Sequence, residues 1–231
     1  MELLNVRLLA ALLVAAFLNL DRQAVGQNMV SRPLVTGLLV GAVLEQPKAG
    51  LILGLWTEIL WVFRANLGGV LVPNGGIAVS AALLAFSILT RFDGAFPMDA
   101  SLPLFFVLIP PVAYLALSLE MLSRRASKKG FYRLRETLAK GKGVLFWANF
   151  KGLLFTLFAS LAALVFFAPL LSLLVGLCLK LDPIWLGPAL EKIAPCLPIV
   201  GLTIAVGQLS SRAVVFFVLG LGAGFSANLW P

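Results

Sequence analysis

The sequence predicts an all-α fold: a polytopic membrane helix bundle with broken, re-entrant helical hairpins and inverted repeats. Three observations carry this prediction. Of the 231 residues, 61% are hydrophobic and only 12% charged, with a mean hydropathy of +1.02; a soluble chain could not cover that much apolar surface. The apolar blocks run continuously instead of alternating, which argues for helices over a barrel, because a segment in lipid must satisfy its own backbone. Several blocks are also too short to cross a bilayer and are punctuated by glycine, proline and polar residues.

The first block, about 3–20, has spanning length. Its first charge is Glu2 and more membrane protein follows, so it reads as a retained helix and not a cleaved signal peptide. Shorter blocks come next at 34–44, 49–63 and 76–90. Blocks of spanning or near-spanning length follow at 100–119 and 152–179, and shorter ones at 193–209 and 213–229.

Net charge is +8, and half of the 18 basic residues fall between the helices at 100–119 and 152–179. They are Arg124, Arg125, Lys128, Lys129, Arg133, Arg135, Lys140, Lys142 and Lys151, against Glu120 and Glu136. Beside two long apolar helices the positive-inside rule accounts for this run, so nucleic acid is not an expected partner. The stretch 121–151 is therefore expected to be a cytoplasmic loop, open to membrane lipid headgroups or to an acidic soluble partner. It divides the chain into an N-terminal membrane part (1–120), the basic loop (121–151) and a C-terminal membrane part (152–231). Arg91 to Ala100 and the segment around Lys180, Asp182, Pro183 and Trp185 then lie on the outer side.

Each membrane part holds two apolar segments joined by a break. In the first, 49–63 and 76–90 flank RANLGGVLVPNGG, a broken hairpin over 49–90; in the second, 193–209 and 213–229 flank Ser210, Ser211 and Arg212. Interrupted segments in corresponding positions are what a transporter with inverted repeats and a midplane site would show. The glycine pairs Gly37/Gly41, Gly50/Gly54 and Gly220/Gly224 let backbones approach closely, within the bundle or in a homo-oligomer.

The polar residues of the first break are the candidate site. Glu58 is an ionisable group within an apolar segment, which is costly without a partner or a purpose. Arg64 lies six residues on; either the two form a buried ion pair or Arg64 snorkels at the interface, or the residues make a polar site at the broken tip of the hairpin. Asn66 and Asn74 bracket the break, and amides offer donors and acceptors that suit a sugar. For Asn74, before Gly75, a local cap competes with that reading. Pro73 prevents a helix from running straight through.

Histidine is absent, which removes Ser–His hydrolysis, His-ligated metals and phosphohistidine chemistry from this chain. Neither a GxGD nor an HExxH motif is present, so no catalytic residue, metal site or cofactor is expected. Cys178 and Cys196 read as small residues in or beside apolar segments.

Asp21, Arg32-Pro33-Leu34, Leu39-Val40-Gly41, Gly50-Leu51-Ile52-Leu53-Gly54, Glu58, Asn66-Leu67-Gly68 and Pro73-Asn74 stand in an order and spacing that resemble the membrane subunit IIC of the mannose/fructose/sorbose-type phosphotransferase system. The resemblance is clear over about residues 6–90, and GLTIAVGQLSSRAVVFFVLGLGAGF resembles the family's last helices. It implies a multi-pass protein of the bacterial inner membrane that translocates sugar together with a IID membrane subunit. Soluble IIA/IIB phosphocarriers would phosphorylate the sugar on the cytoplasmic side. It implies that Glu58, Asn66 and Asn74 are substrate-binding. Asn74 departs from the family's aspartate, which removes one carboxylate acceptor. The alternative from the residues alone is a small secondary transporter without phosphotransfer, with Glu58 as its proton or cation site.

Overall fold

The computed structural model describes residues 2–22, 25–62, 72–92, 98–138, 143–181 and 186–207. Within them the regular structure is entirely helical: α1 (Glu2–Leu20), α2 (Pro33–Val43), α3 (Pro47–Trp61), α4 (Gly75–Phe92), α5 (Met98–Leu138), α6 (Gly143–Leu181), α7 (Leu186–Ile193) and α8 (Leu197–Gly207), with a single 3₁₀ turn between the last two. The second break at 210–212, the block at 213–229 and the pair Gly220/Gly224 lie outside the described residues.

The expected helices are all present where they can be described, but two differ in extent. The basic stretch expected to be a loop is helical for most of its length, because α5 continues to Leu138 and α6 begins at Gly143. Its residues include many good helix formers, Arg, Lys, Leu and Glu, so helix continues once the membrane no longer demands apolar side chains. At a rise of about 1.5 Å per residue, α5 and α6 are each about 60 Å long, twice the hydrocarbon thickness. Their apolar portions are Ala100–Arg125 and Phe150–Lys180, and a third segment long and apolar enough to span is Pro188–Gly207. Pro103, Pro110 and Pro111 lie inside α5 and Pro169 inside α6, a pattern that membrane helices accommodate through their neighbours.

The second difference concerns pairing. The tight hairpin is α2 with α3, turning at Leu44–Gln46, where Glu45 adopts a left-handed φ of 58°. At 11 and 15 residues these helices reach only about 16 and 22 Å, short of a bilayer, and they pack on each other as a hairpin. Two of the predicted glycine pairs make the contact. A Cβ on Gly50 would stand 2.1 Å from the Gly37 carbonyl oxygen, and one on Gly54 would stand 2.8 Å from that of Pro33. The backbones touch, and the dispersion gained there replaces the hydrophobic drive that lipid does not supply.

α4 is the centre of the bundle. From Val72 through Ser87 every described side chain is buried, and the helix packs on α1, α2, α3, α5 and α6. A helix that is apolar all round has no lipid- or water-facing side to keep. α1 shows the opposite design: Ala11, Ala15 and Ala16 face inward, while Leu9, Leu13 and Phe17 face out. Since α6 packs against both α1 and α4, the segments before and after the basic stretch share one core.

Candidate functional site

Polar residues from α1 and α5 converge on Asn74 at the start of α4. Pro73 ends the extended approach and Asn74 caps the helix: its Oδ1 accepts from the Ile77 N–H at 3.2 Å, satisfying one of the donors that a helix start leaves free. This is the local role foreseen for an Asn before Gly. The remainder of Asn74 looks elsewhere. Its Nδ2 donates to Asn19 Oδ1 at 3.0 Å and to Glu120 Oε2 at 3.2 Å, and its backbone N–H donates to the Ala113 carbonyl of α5 at 3.0 Å. The residue is 1% exposed. Asn74 caps its own helix and bonds to neighbouring helices at once because the amide has both an acceptor and donors.

Around Asn74 the bonds continue into four other elements. Asn19, at the end of α1, donates to Ser160 Oγ of α6 at 2.7 Å, and Ser160 passes a bond to the Thr156 carbonyl at 2.9 Å. Glu120 of α5, 4% exposed, receives Arg22 Nε at 2.9 Å and Arg124 Nη2 at 2.6 Å. The Arg22 guanidinium also donates to the Val72 carbonyl, tying the loop after α1 to the residues before α4. A buried carboxylate needs such partners, because an unpaired charge in this environment is very costly.

These contacts account for Asn74 standing where the resemblance leads one to expect an aspartate. A carboxylate at this position would face the Glu120 carboxylate at about the 3.2 Å of the present hydrogen bond, where like charges repel strongly. The amide can donate instead, and the carboxylate is contributed by α5.

Glu58 has a different partner from the one its spacing suggested. Its Oε1 accepts from Arg32 Nη1 at 2.5 Å, and its Oε2 lies 3.4 Å from the Leu34 N–H in the first turn of α2. Arg32 supplies no side-chain cap to α2, and Pro33 sits at N1; the Glu58 carboxylate therefore faces the positive end of the helix dipole. Arg64 and Asn66 lie outside the described residues. Glu58 and Asn74 do not touch, but both border one contact: Pro33, beside Arg32, packs where a Cβ on Gly75 would stand 2.7 Å from its Cγ.

The loop from Asp21 to Arg32 closes this side. Asp21 accepts from the N–H groups of Asn28 and Ser31 at 2.7 and 3.2 Å. Burial raises its carboxyl, but the N–H groups of Asn28, Ser31 and Val30 and the Ser31 hydroxyl outweigh this, and its pKa lies below the ordinary 3.8. Gly26, Gln27 and Met29 take left-handed φ values of 73°, 52° and 62°, a conformation that costs the two non-glycine residues energy.

Sequence reasoning singled out Glu58, Asn66 and Asn74 but missed Asn19, Arg22, Arg32, Glu120 and Ser160. A signal existed for two of them: Asn19 and Glu120 are polar residues near the ends of apolar blocks, and Glu120 was read only as a counter-charge within the basic run.

A family model for the sorbose-specific IIC component of the phosphotransferase system matches residues 6–227. A solved structure described as "Structure of membrane protein" is similar in fold, with a TM-score of 0.63, 19% sequence identity, and coverage of 95% of this chain and 86% of that one. A search among curated proteins finds no match.

Proposed function

The chain belongs to the family of sorbose-specific IIC components of the phosphotransferase system, and on that premise we propose that it holds its sugar at the ends of its short helices, between Glu58, Asn66 and Asn74. It is a sugar-translocating membrane subunit of a phosphotransferase system and works with other subunits of that system. Secondary transport, the alternative from the residues alone, is disfavoured by that membership.

The observation that carries the site is the convergence of hydrogen-bonding side chains where α4 starts, inside a bundle that is otherwise apolar. Short helices whose ends meet within the membrane supply what a sugar needs: backbone and side-chain donors and acceptors out of contact with lipid. Glu58 offers a carboxylate, and Asn66 and Asn74 offer amides. Their combination matches hydroxyl groups that both donate and accept.

The partners fit the same scheme. A IID membrane subunit completes the pathway, and soluble IIA and IIB subunits deliver the phosphoryl group, since this chain has no histidine to carry it. The protein sits in the bacterial inner membrane with residues 121–151 on the cytoplasmic side, following its positive charge. The chain order is then a membrane part to residue 120, the basic stretch, and a second membrane part from 152, related to the first as an inverted repeat. Phosphoenolpyruvate-dependent uptake in cells expressing the chain with its partner subunits tests the site. Asn66→Ala is expected to abolish uptake while leaving assembly intact. Normal uptake by that variant removes Asn66 from the site.

A further inference from the structure

Where α1, α4, α5 and α6 meet, the polar side chains do not close on one another completely. A cavity of about 20 Å³ lies among Asn19, Asn74, Glu120, Ser123, Thr156 and Ser160. Ser123, one turn beyond Glu120 on the inward side of α5, lines it. It is 3% exposed, and its hydroxyl has no hydrogen-bond partner. An unpaired buried hydroxyl is destabilising, whereas alanine in its place would cost nothing by that account. The hydroxyl is thus free to bond to whatever polar group enters the cavity.

We propose that this cavity is the closed form of the sugar pocket, in which Asn19, Glu120, Ser123 and Ser160 join Asn74 in holding sugar hydroxyls. The proposal rests on the transport reading above and extends it to residues of α1, α5 and α6. The chemistry is complementary. Glu120 accepts charge-assisted bonds from hydroxyls, Ser123 both donates and accepts, and the amides supply one of each. The Asn74–Asn19 and Asn19–Ser160 bonds are neutral and of the kind a hydroxyl can replace one for one.

Pockets for small molecules usually measure about 300–1,000 Å³, so this one must widen before it admits a sugar. The room is adjacent. α5 and α6 diverge into an apolar groove of about 750 Å³ whose wall shares Leu119, Ser123, Ala159 and Ala163 with the cavity. At this shared wall α6 presents only Ala159 and Ala163, so the partition between cavity and groove is thin on that side; Phe155, Phe166 and Phe167 of the same helix line the groove beyond it.

The test is phosphoenolpyruvate-dependent uptake of radiolabelled sorbose, mannose and fructose, each assayed separately, in cells carrying the partner subunits, with thermal stability of the purified complex measured in parallel. Ser123→Ala is expected to raise the KM of the transported sugar at least about threefold while the complex stays as stable as wild type or becomes more so. Glu120→Gln is expected to raise KM about tenfold or more, the loss of a charge-assisted bond. Should Glu120→Gln fail to assemble, Ser123→Ala decides alone, because Ser123 has no partner to lose. Wild-type KM in Ser123→Ala overturns the proposal and leaves the hydroxyl with a packing or solvation role. If the wild-type complex takes up none of the three sugars with phosphoenolpyruvate, the transport reading falls, and the pocket assignment with it.

Discussion

Asn74 is held by its own helix and by two others, α1 and α5, at once, and the two kinds of bond respond differently to substitution. Asn74→Ala removes the cap and the donors together; loss of the cap alone costs about 1 kcal/mol, and Glu120 and Asn19 lose a partner besides. Asn74→Asp keeps an acceptor for the Ile77 N–H but sets a second carboxylate against Glu120. The donor that faced Glu120 is replaced by an acceptor, so uptake by this variant is expected to fall below wild type. Initial uptake rates check this, and wild-type uptake by the variant would show that the 3.2 Å contact has no consequence for transport. Asn74 was legible in the sequence because Pro and Gly mark its position in the chain. Its partners were not, since Asn19 and Glu120 lie 55 and 46 residues away and nothing local signals their approach.

Among the elements, the α2–α3 hairpin depends on bare backbone. Gly50→Ala drives a methyl against the Gly37 carbonyl, and overpacking of this kind costs about 1–3 kcal/mol. Gly152→Ala in α6 meets nothing within 4 Å and is expected to stabilise by about 0.5–1 kcal/mol through helix propensity. Thermal unfolding of the two variants in detergent should therefore shift in opposite directions; equal shifts would mean that the hairpin is not packed through its glycines. The loop between α1 and α2 has its own condition. Asp21 has a pKa below the unfolded value of 3.8, so its stabilising contribution is complete above that pH and is lost as pH falls through the folded value. Pepsin cleavage within residues 25–32 of wild type, taken at each pH as a ratio to that of Asp21→Asn so that the protease's own pH dependence cancels, should rise toward one as pH is lowered from about 5 to about 2. The glycine pairs could be read from their spacing. That Gly37 and Gly41 meet Gly50 and Gly54, and not some distant helix, follows from the short turn at Leu44–Gln46, which folds the two helices directly back on each other.

For the whole molecule, the long helices α5 and α6 carry the basic stretch away from the core, and its charge sets the orientation we propose. In a background lacking Cys178 and Cys196, Lys128→Cys should react with membrane-impermeant maleimide in inverted vesicles and be silent in intact cells; reaction from the outside would reverse the topology. The composition and the continuous apolar blocks by themselves determined that the chain is an all-helical membrane protein, because lipid admits few other ways to satisfy a backbone. The ordered motifs of the first ninety residues also pointed to the family, and the positions of helix ends followed from Pro, Gly and polar residues, which act over a few residues. The pairings were decided only in the tertiary structure. Glu58 pairs with Arg32, 26 residues away; Glu120 serves Asn74 and does not merely balance the basic run; and Ser123 turns inward at a cavity while Ser118, five residues earlier, is exposed. Such choices depend on which faces of distant helices meet, and in a chain this uniformly apolar hydropathy cannot tell one face from another.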